Sequence, residues 1–111
     1  MKTREVSFAE AISRLPAPAG KPSAEVFKHG SLVVKIFAPR GEDTQKPHSR
    51  DEIYVVVRGR GEFVNGDLRL KFGPGDVLFA AAGEVHRFER FSDDFATWVF
   101  FYGPEGGERD S

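Results

Sequence analysis

The chain has 111 residues, with 16 basic against 17 acidic side chains and a formal net charge of −1. That length supports a single hydrophobic core, the charge balance leaves no electrostatic footprint for nucleic acid, and the absence of cysteine removes disulfides, thiolate metal sites and thiol catalysis. No apolar run approaches the length of a membrane span, and residues 1–4 lead into no signal-type segment, so a cytoplasmic protein with no membrane and no nucleic-acid partner is expected.

Ser7 and Glu10 have capping-box spacing, and Phe8, Ala11, Ile12 and Leu15 recur at helical intervals. They predict a short amphipathic helix that Pro16 ends and that covers one side of a sheet. Residues 16–23, rich in proline, read as an extended linker. Residues 1–23 therefore form an N-terminal arm, residues 24–103 a barrel and residues 104–111 a polar tail expected to fray.

From residue 24 onward the periodicity is that of strands. Residues 25–28 and 32–37 flank the turn signal His29-Gly30-Ser31, where His29 reads as a solvated turn residue. Residues 38–46 read as a polar loop or irregular strand. Residues 53–57 and 61–64 are the next strands, and Asn65-Gly66-Asp67 is a hairpin signal returning through Leu68, Leu70 and Phe72. Gly73-Pro74-Gly75-Asp76 turns into a short buried strand at 77–79; strands at 85–91 and 95–102 follow. Seven or eight short strands, with eleven phenylalanines and twelve glycines, predict an all-β sandwich or small barrel with an aromatic interior.

The stretch from Pro47 to Gly61 organises the rest. It holds an imidazole (His48), a carboxylate (Glu52), three consecutive valines and two glycines, and imidazole and carboxylate are both ligands for divalent metals. On one unbroken strand, His48 and Glu52 would sit roughly 13 Å apart, too far to share an ion. The chain must bend at Ser49-Arg50-Asp51, with His48 closing one strand and Glu52 opening the next.

With these elements in order, the chain resembles the cupins, small β-barrel proteins on a jelly-roll core. The first cupin motif runs glycine, five residues, His-x-His, three or four residues, glutamate, six residues, glycine. His48 falls on its second histidine, Glu52 on the glutamate and Gly59 on the closing glycine. The second motif runs glycine, five residues, Pro-x-Gly, two residues, histidine, three residues, asparagine, and Gly75, Gly83 and His86 fall on its two glycines and its histidine. The resemblance covers residues 37–102. Lys46 replaces the first histidine, Gly41 sits one residue too close, Ala81 replaces proline and Arg90 replaces asparagine.

The resemblance implies an all-β, cupin-type jelly-roll β-barrel with a short N-terminal helix. It further implies a two-histidine, one-carboxylate set of His48, Glu52 and His86, suited to Fe(II), Mn(II), Ni(II) or Zn(II). Gln45 offers an amide oxygen in place of the missing histidine, with Asp43 a weaker substitute. Strand alternation puts Tyr54 and Val56 on the side of Glu52, and Phe88, then Arg90, on the side of His86. Phe79, Trp98, Phe100 and Tyr102 are candidate walls of the same interior. Tyr54 or Arg50 is the candidate acid or orienting group, and Arg50 and Lys46 are candidates for the pocket mouth. Two functions stay open: a mononuclear metal enzyme of oxygenase, isomerase or lyase type acting on a small organic molecule, or a non-catalytic module binding a small ligand over a relic site. A homodimer is expected, since members of the family often pair through N-terminal segments.

Overall fold

The computed structural model describes residues 5–109. A single helical turn and a half, α1 (Phe8–Ile12), precedes eight strands: β1 (Ser23–His29), β2 (Leu32–Phe37), β3 (Asp51–Arg58), β4 (Gly61–Asn65), β5 (Leu68–Phe72), β6 (Val77–Ala80), β7 (His86–Glu89) and β8 (Ala96–Tyr102). They pair antiparallel into a five-stranded sheet in the order β1-β2-β8-β3-β6 and a three-stranded sheet in the order β5-β4-β7. This is the all-β barrel of jelly-roll type that the sequence predicts.

Cross-strand partners share a face, so the register fixes the interior. Val33, Phe101, Glu52 and Ala80 form one row across the five-stranded sheet; Lys35, Val99, Tyr54 and Leu78 form the next. These rows face Phe63, Phe72 and Phe88 of the other sheet, and the apolar members make one continuous core. Full burial of each such phenylalanine is worth about 1.5–3 kcal/mol. The close approach of the sheets uses Gly59, where φ is +90° and an added Cβ would lie 2.5 Å from the Phe95 Cα. Only glycine fits there.

The opposite parity of β8 corrects the expected walls. Trp98 pairs with Ile36 and Phe100 with Val34, so both rings lie on the outer face of the sheet. There they form a second cluster with Ala11, Val26 and the arm residues Val6, Phe8, Ile12 and Leu15. Phe79 and Tyr102 also share the outer parity, beside Ile53 and Asp51 respectively. The strand at 77–80 is buried only at Leu78 and Ala80; Val77 is 66% and Phe79 49% exposed.

α1 covers the sheet as predicted but ends at Ile12, before Pro16. Its N-cap is half a capping box: the Ser7 Oγ accepts from the Glu10 N–H at 3.1 Å, while the Glu10 carboxylate accepts from Arg14 at 3.2 Å instead of reaching back. The tail is not frayed where it is described. The Gly106 N–H donates to the Ser49 carbonyl at 2.7 Å. The buried Asp51 carboxylate accepts from Ala82 N–H at 2.9 Å and Glu108 N–H at 2.8 Å, so one side chain clasps two loops. Among the described residues no helix is long and apolar enough to cross a membrane.

Candidate metal centre

Residues 38–48 carry no regular structure, so His48 sits on a loop and does not close a strand as the spacing had implied. The expected bend is present at Ser49 and Arg50, immediately before β3. Two contacts hold the loop end in place: the Gly83 N–H donates to the His48 carbonyl at 2.8 Å, and the His48 ring packs edge-on against Phe101 with centroids 5.0 Å apart.

Glu52 enters from β3 and His86 from β7, so the two sheets contribute one side chain each. Ligand-type atoms of His48, Glu52 and His86 all lie within 4.8 Å of one another. His48 Nδ1 is 3.1 Å from Glu52 Oε1, and His86 Nε2 is 2.5 Å from the same oxygen. Glu52 and His86 are almost wholly buried, whereas the His48 side chain is 38% exposed and faces the opening.

The tautomer of His86 follows from its other nitrogen. Nδ1 lies 2.9 Å from the Glu84 carbonyl oxygen, an approach that requires an N–H there. In the neutral ring Nε2 then carries a lone pair, aimed at a carboxylate oxygen. Although close, that contact lacks hydrogen-bond alignment, and both His86 Nε2 and Glu52 Oε2 are buried without a hydrogen-bond partner. Lone pairs facing each other in a buried site call for a cation to bind them: a proton fits between them at this separation, and a metal ion would bind to them from the side.

The electrostatics point the same way. Burial alone would raise the Glu52 carboxyl, but the hydrogen-bonded His48 and the His86 ring pressed against it outweigh that and hold it below its ordinary value. Burial would lower His86, but Glu52, the Glu84 carbonyl and the Asp43 charge overcome that and raise it. Tyr54 is pushed well above its ordinary value, first by burial and then by Glu52.

Gln45 is brought to the same pocket, held by the buried Asp43. The Asp43 carboxylate accepts from the Gln45 N–H at 3.1 Å, the Gln45 side-chain amide at 2.6 Å and the Phe88 N–H at 2.8 Å. The Gln45 Oε1 faces inward and accepts from the Tyr54 hydroxyl at 3.2 Å. Asp43 therefore stands behind Gln45 and is not part of the His48, Glu52, His86 group.

Arg50 is not brought to the pocket. Its guanidinium donates to the backbone carbonyls of Ser31 and Gly103. Lys46 is exposed, His29 is the exposed last residue of β1, paired with Leu32, and not part of the turn, and Arg90 follows the end of β7 with a positive φ of 51°, reaching out to Glu62 at 3.6 Å.

The pocket has a volume of about 80 Å³ and is walled by Phe37, His48, Glu52, Tyr54 and Phe101, with Ser23, Lys35, Gln45 and Val99 also on its surface. That is room for a few waters or one small organic molecule. Lys35 was not singled out from sequence. The signal for it is a lysine at the parity of Val33 and Phe37 in a strand otherwise free of charge.

Comparison with known proteins agrees with this architecture. The model of the cupin domain family matches residues 33–102. An uncharacterized protein from Streptomyces coelicolor is 40% identical over 63 residues, a stretch covering 57% of this chain and 60% of that relative. The matched stretch thus spans less than two thirds of that protein. A cupin 2 conserved barrel domain protein from Salinispora arenicola superimposes with a TM-score of 0.64 at 21% identity, over 93% of this chain and 89% of that one. At that identity the likeness is one of fold. A structure from a study of DMSP lyases matches with a TM-score of 0.60 at 27% identity, over 69% of this chain and 41% of that one.

Proposed function

The chain belongs to the cupin domain family, and we propose that it is a small metal-binding cupin, holding one divalent transition metal on His48, Glu52 and His86 and taking a small organic molecule beside it. The observation that carries this reading is a pair of buried atoms without hydrogen-bond partners, His86 Nε2 and Glu52 Oε2, on side chains that meet at 2.5 Å through Glu52 Oε1, with the His86 tautomer fixed by the Glu84 carbonyl. A histidine oriented through its second nitrogen is the usual arrangement behind a metal ligand. Nitrogen and oxygen donors with no thiolate suit Fe, Mn, Ni or Zn.

When bound, the metal supplies a Lewis acid or a redox centre. The chain's own groups do the rest. His48 stands at the opening and the buried Glu52 lines the pocket below it, so a ligand enters over His48. Phe37, Val99 and Phe101 exclude water from the walls. The Tyr54 hydroxyl, kept neutral by its raised pKa and donating to Gln45, orients a bound molecule as a hydrogen-bonding group and does not act as a base. Gln45 Oε1 is the candidate further donor, reached only if it gives up the Tyr54 hydrogen bond. The likeness to a structure from work on DMSP lyases supports the enzymatic form of this reading.

The second reading rests on the same 2.5 Å contact. If a proton occupies it, His86 is an imidazolium paired with Glu52, and the barrel is a ligand-binding module over a relic site. Metal content by plasma mass spectrometry separates the two. On tag-free protein the first reading expects about one equivalent of transition metal, lost in His48→Ala and His86→Ala. No metal in the wild type, even after reconstitution with Fe(II), Mn(II), Ni(II) and Zn(II), would establish the relic.

A further inference from the structure

We propose that the molecule taken by this pocket is a small carboxylate, held by the Lys35 ammonium and the Ser23 hydroxyl of the pocket wall. This rests on the reading of the pocket as a ligand site, and extends it to the charge of the ligand.

The inner face of β2 carries Val33, Lys35 and Phe37, and both apolar neighbours join the core. A lysine between them aims its stem into the barrel. It shares a cross-strand row with Val99 and Tyr54, so its Cα lies two strands, or roughly 10 Å, from that of Tyr54. Its Nζ sits 5.7 Å from the centroid of Phe101, the ring that also packs against His48. Glu25 is its cross-strand neighbour on β1, yet among the described residues no carboxylate comes within ion-pair distance of Nζ.

A half-buried ammonium with only a ring face for company is poorly compensated. An anion in the pocket would complete it. The lining then offers a cation and a hydroxyl, Lys35 and Ser23, in one pocket with His48 and Glu52, and apolar walls from Phe37, Val99 and Phe101. A molecule matched to that lining carries a carboxylate on a short apolar body, and a volume of about 80 Å³ keeps it to a few heavy atoms. Glu52 is already the pocket's own negative group, which argues against a second anion beside it and places the carboxylate at the lysine.

The test uses propionate as the probe and propionamide as its neutral isostere, titrated calorimetrically in low-chloride buffer into wild type, Lys35→Met, Lys35→Gln and Lys35→Arg. Metal content and thermal unfolding are measured on the same samples. Propionate is expected to bind about tenfold more weakly to Lys35→Met and Lys35→Gln, with metal content unchanged and the unfolding temperature held or raised. Propionamide should bind all four proteins alike, and Lys35→Arg should retain most of the propionate affinity. Equal propionate affinity in wild type and Lys35→Met overturns the proposal, as does no propionate binding by wild type. A metal-free wild type that still distinguishes Lys35→Met from itself would remove the metal reading and leave the carboxylate site standing. Metal present with no lysine effect gives the reverse result.

Discussion

The contact between Glu52 and His86 carries most of the chemistry. In the metal-free protein it is a proton-held pair, and its stability depends on pH with a definite sign. His86 is raised above an ordinary value of about 6.5, so its contribution is complete below that value and is lost as pH rises through the raised one. Glu52 is lowered, so its contribution is present above the ordinary carboxyl range and is lost as pH falls through the lowered value. Urea unfolding of chelator-treated protein should therefore give a plateau with a fall on either side, and His86→Ala should erase the alkaline fall. Metal affinity should run the other way and strengthen as pH rises, because metal and proton compete for one lone pair. A metal-free stability that stays flat on the alkaline side of neutrality would show that His86 does not hold the proton.

The meeting of His48 with Glu52 was legible from short-range spacing, whereas His86, on a distant strand, was legible only through its place in the motif that the chain resembles. His48 and Glu52 stand four positions apart, too far for a shared ion on straight backbone, and Ser49 and Arg50 supply the bend. The reach of Arg50 was not legible. Its partners, Ser31 and Gly103, lie 19 and 53 residues away and only the pairing of β2, β8 and β3 brings them near.

Among the elements, the loop of residues 38–48 matters more than its irregularity suggests. It presents Gln45 and His48, and Asp43 fastens it to β7 by accepting three N–H groups, two from Gln45 and one from Phe88. Replacing Asp43 with alanine leaves those donors unsatisfied and should cost about 2–3 kcal/mol. Asp43→Asn keeps one acceptor and should cost less, while the exposed neighbour Thr44→Ala should stay within about 0.5 kcal/mol. Denaturant titrations of the three variants decide it: if Asp43→Ala costs no more than Thr44→Ala, the carboxylate is not what fastens the loop. The sequence offered Asp43 only as a substitute ligand, since nothing local marks its partner Phe88, 45 residues on. Parity failed for a similar reason at β8. Ala96–Tyr102 is apolar on both faces because one meets the core and the other the arm, so alternation gave no sign of which rings face inward.

For the molecule as a whole, the site is a tie between sheets. Among the described residues the two sheets share no backbone ladder: β6 closes one and β5 the other. Core packing joins them, along with isolated links such as the Asn65 side-chain amide donating to the Phe79 carbonyl at 3.2 Å. An ion on Glu52 of β3 and His86 of β7 would bind the folded barrel and not the separated sheets, so its binding free energy would appear as global stability. At a free metal concentration about a hundredfold above Kd the gain is about 2.7 kcal/mol, which for a domain of this size raises the unfolding temperature by roughly 10 °C. Emission from Trp98, packed edge-on against Phe8 on the far side of the sheet with centroids 6.3 Å apart, would report that shift from outside the site. Hydrogen exchange should show amides of β3 and β7 gaining the same protection, with the gain absent in His86→Ala. Protection confined to residues 38–48, with the Trp98 transition unmoved, would mean that the metal orders only the loop carrying His48. The ion would then not be held by Glu52 and His86 together.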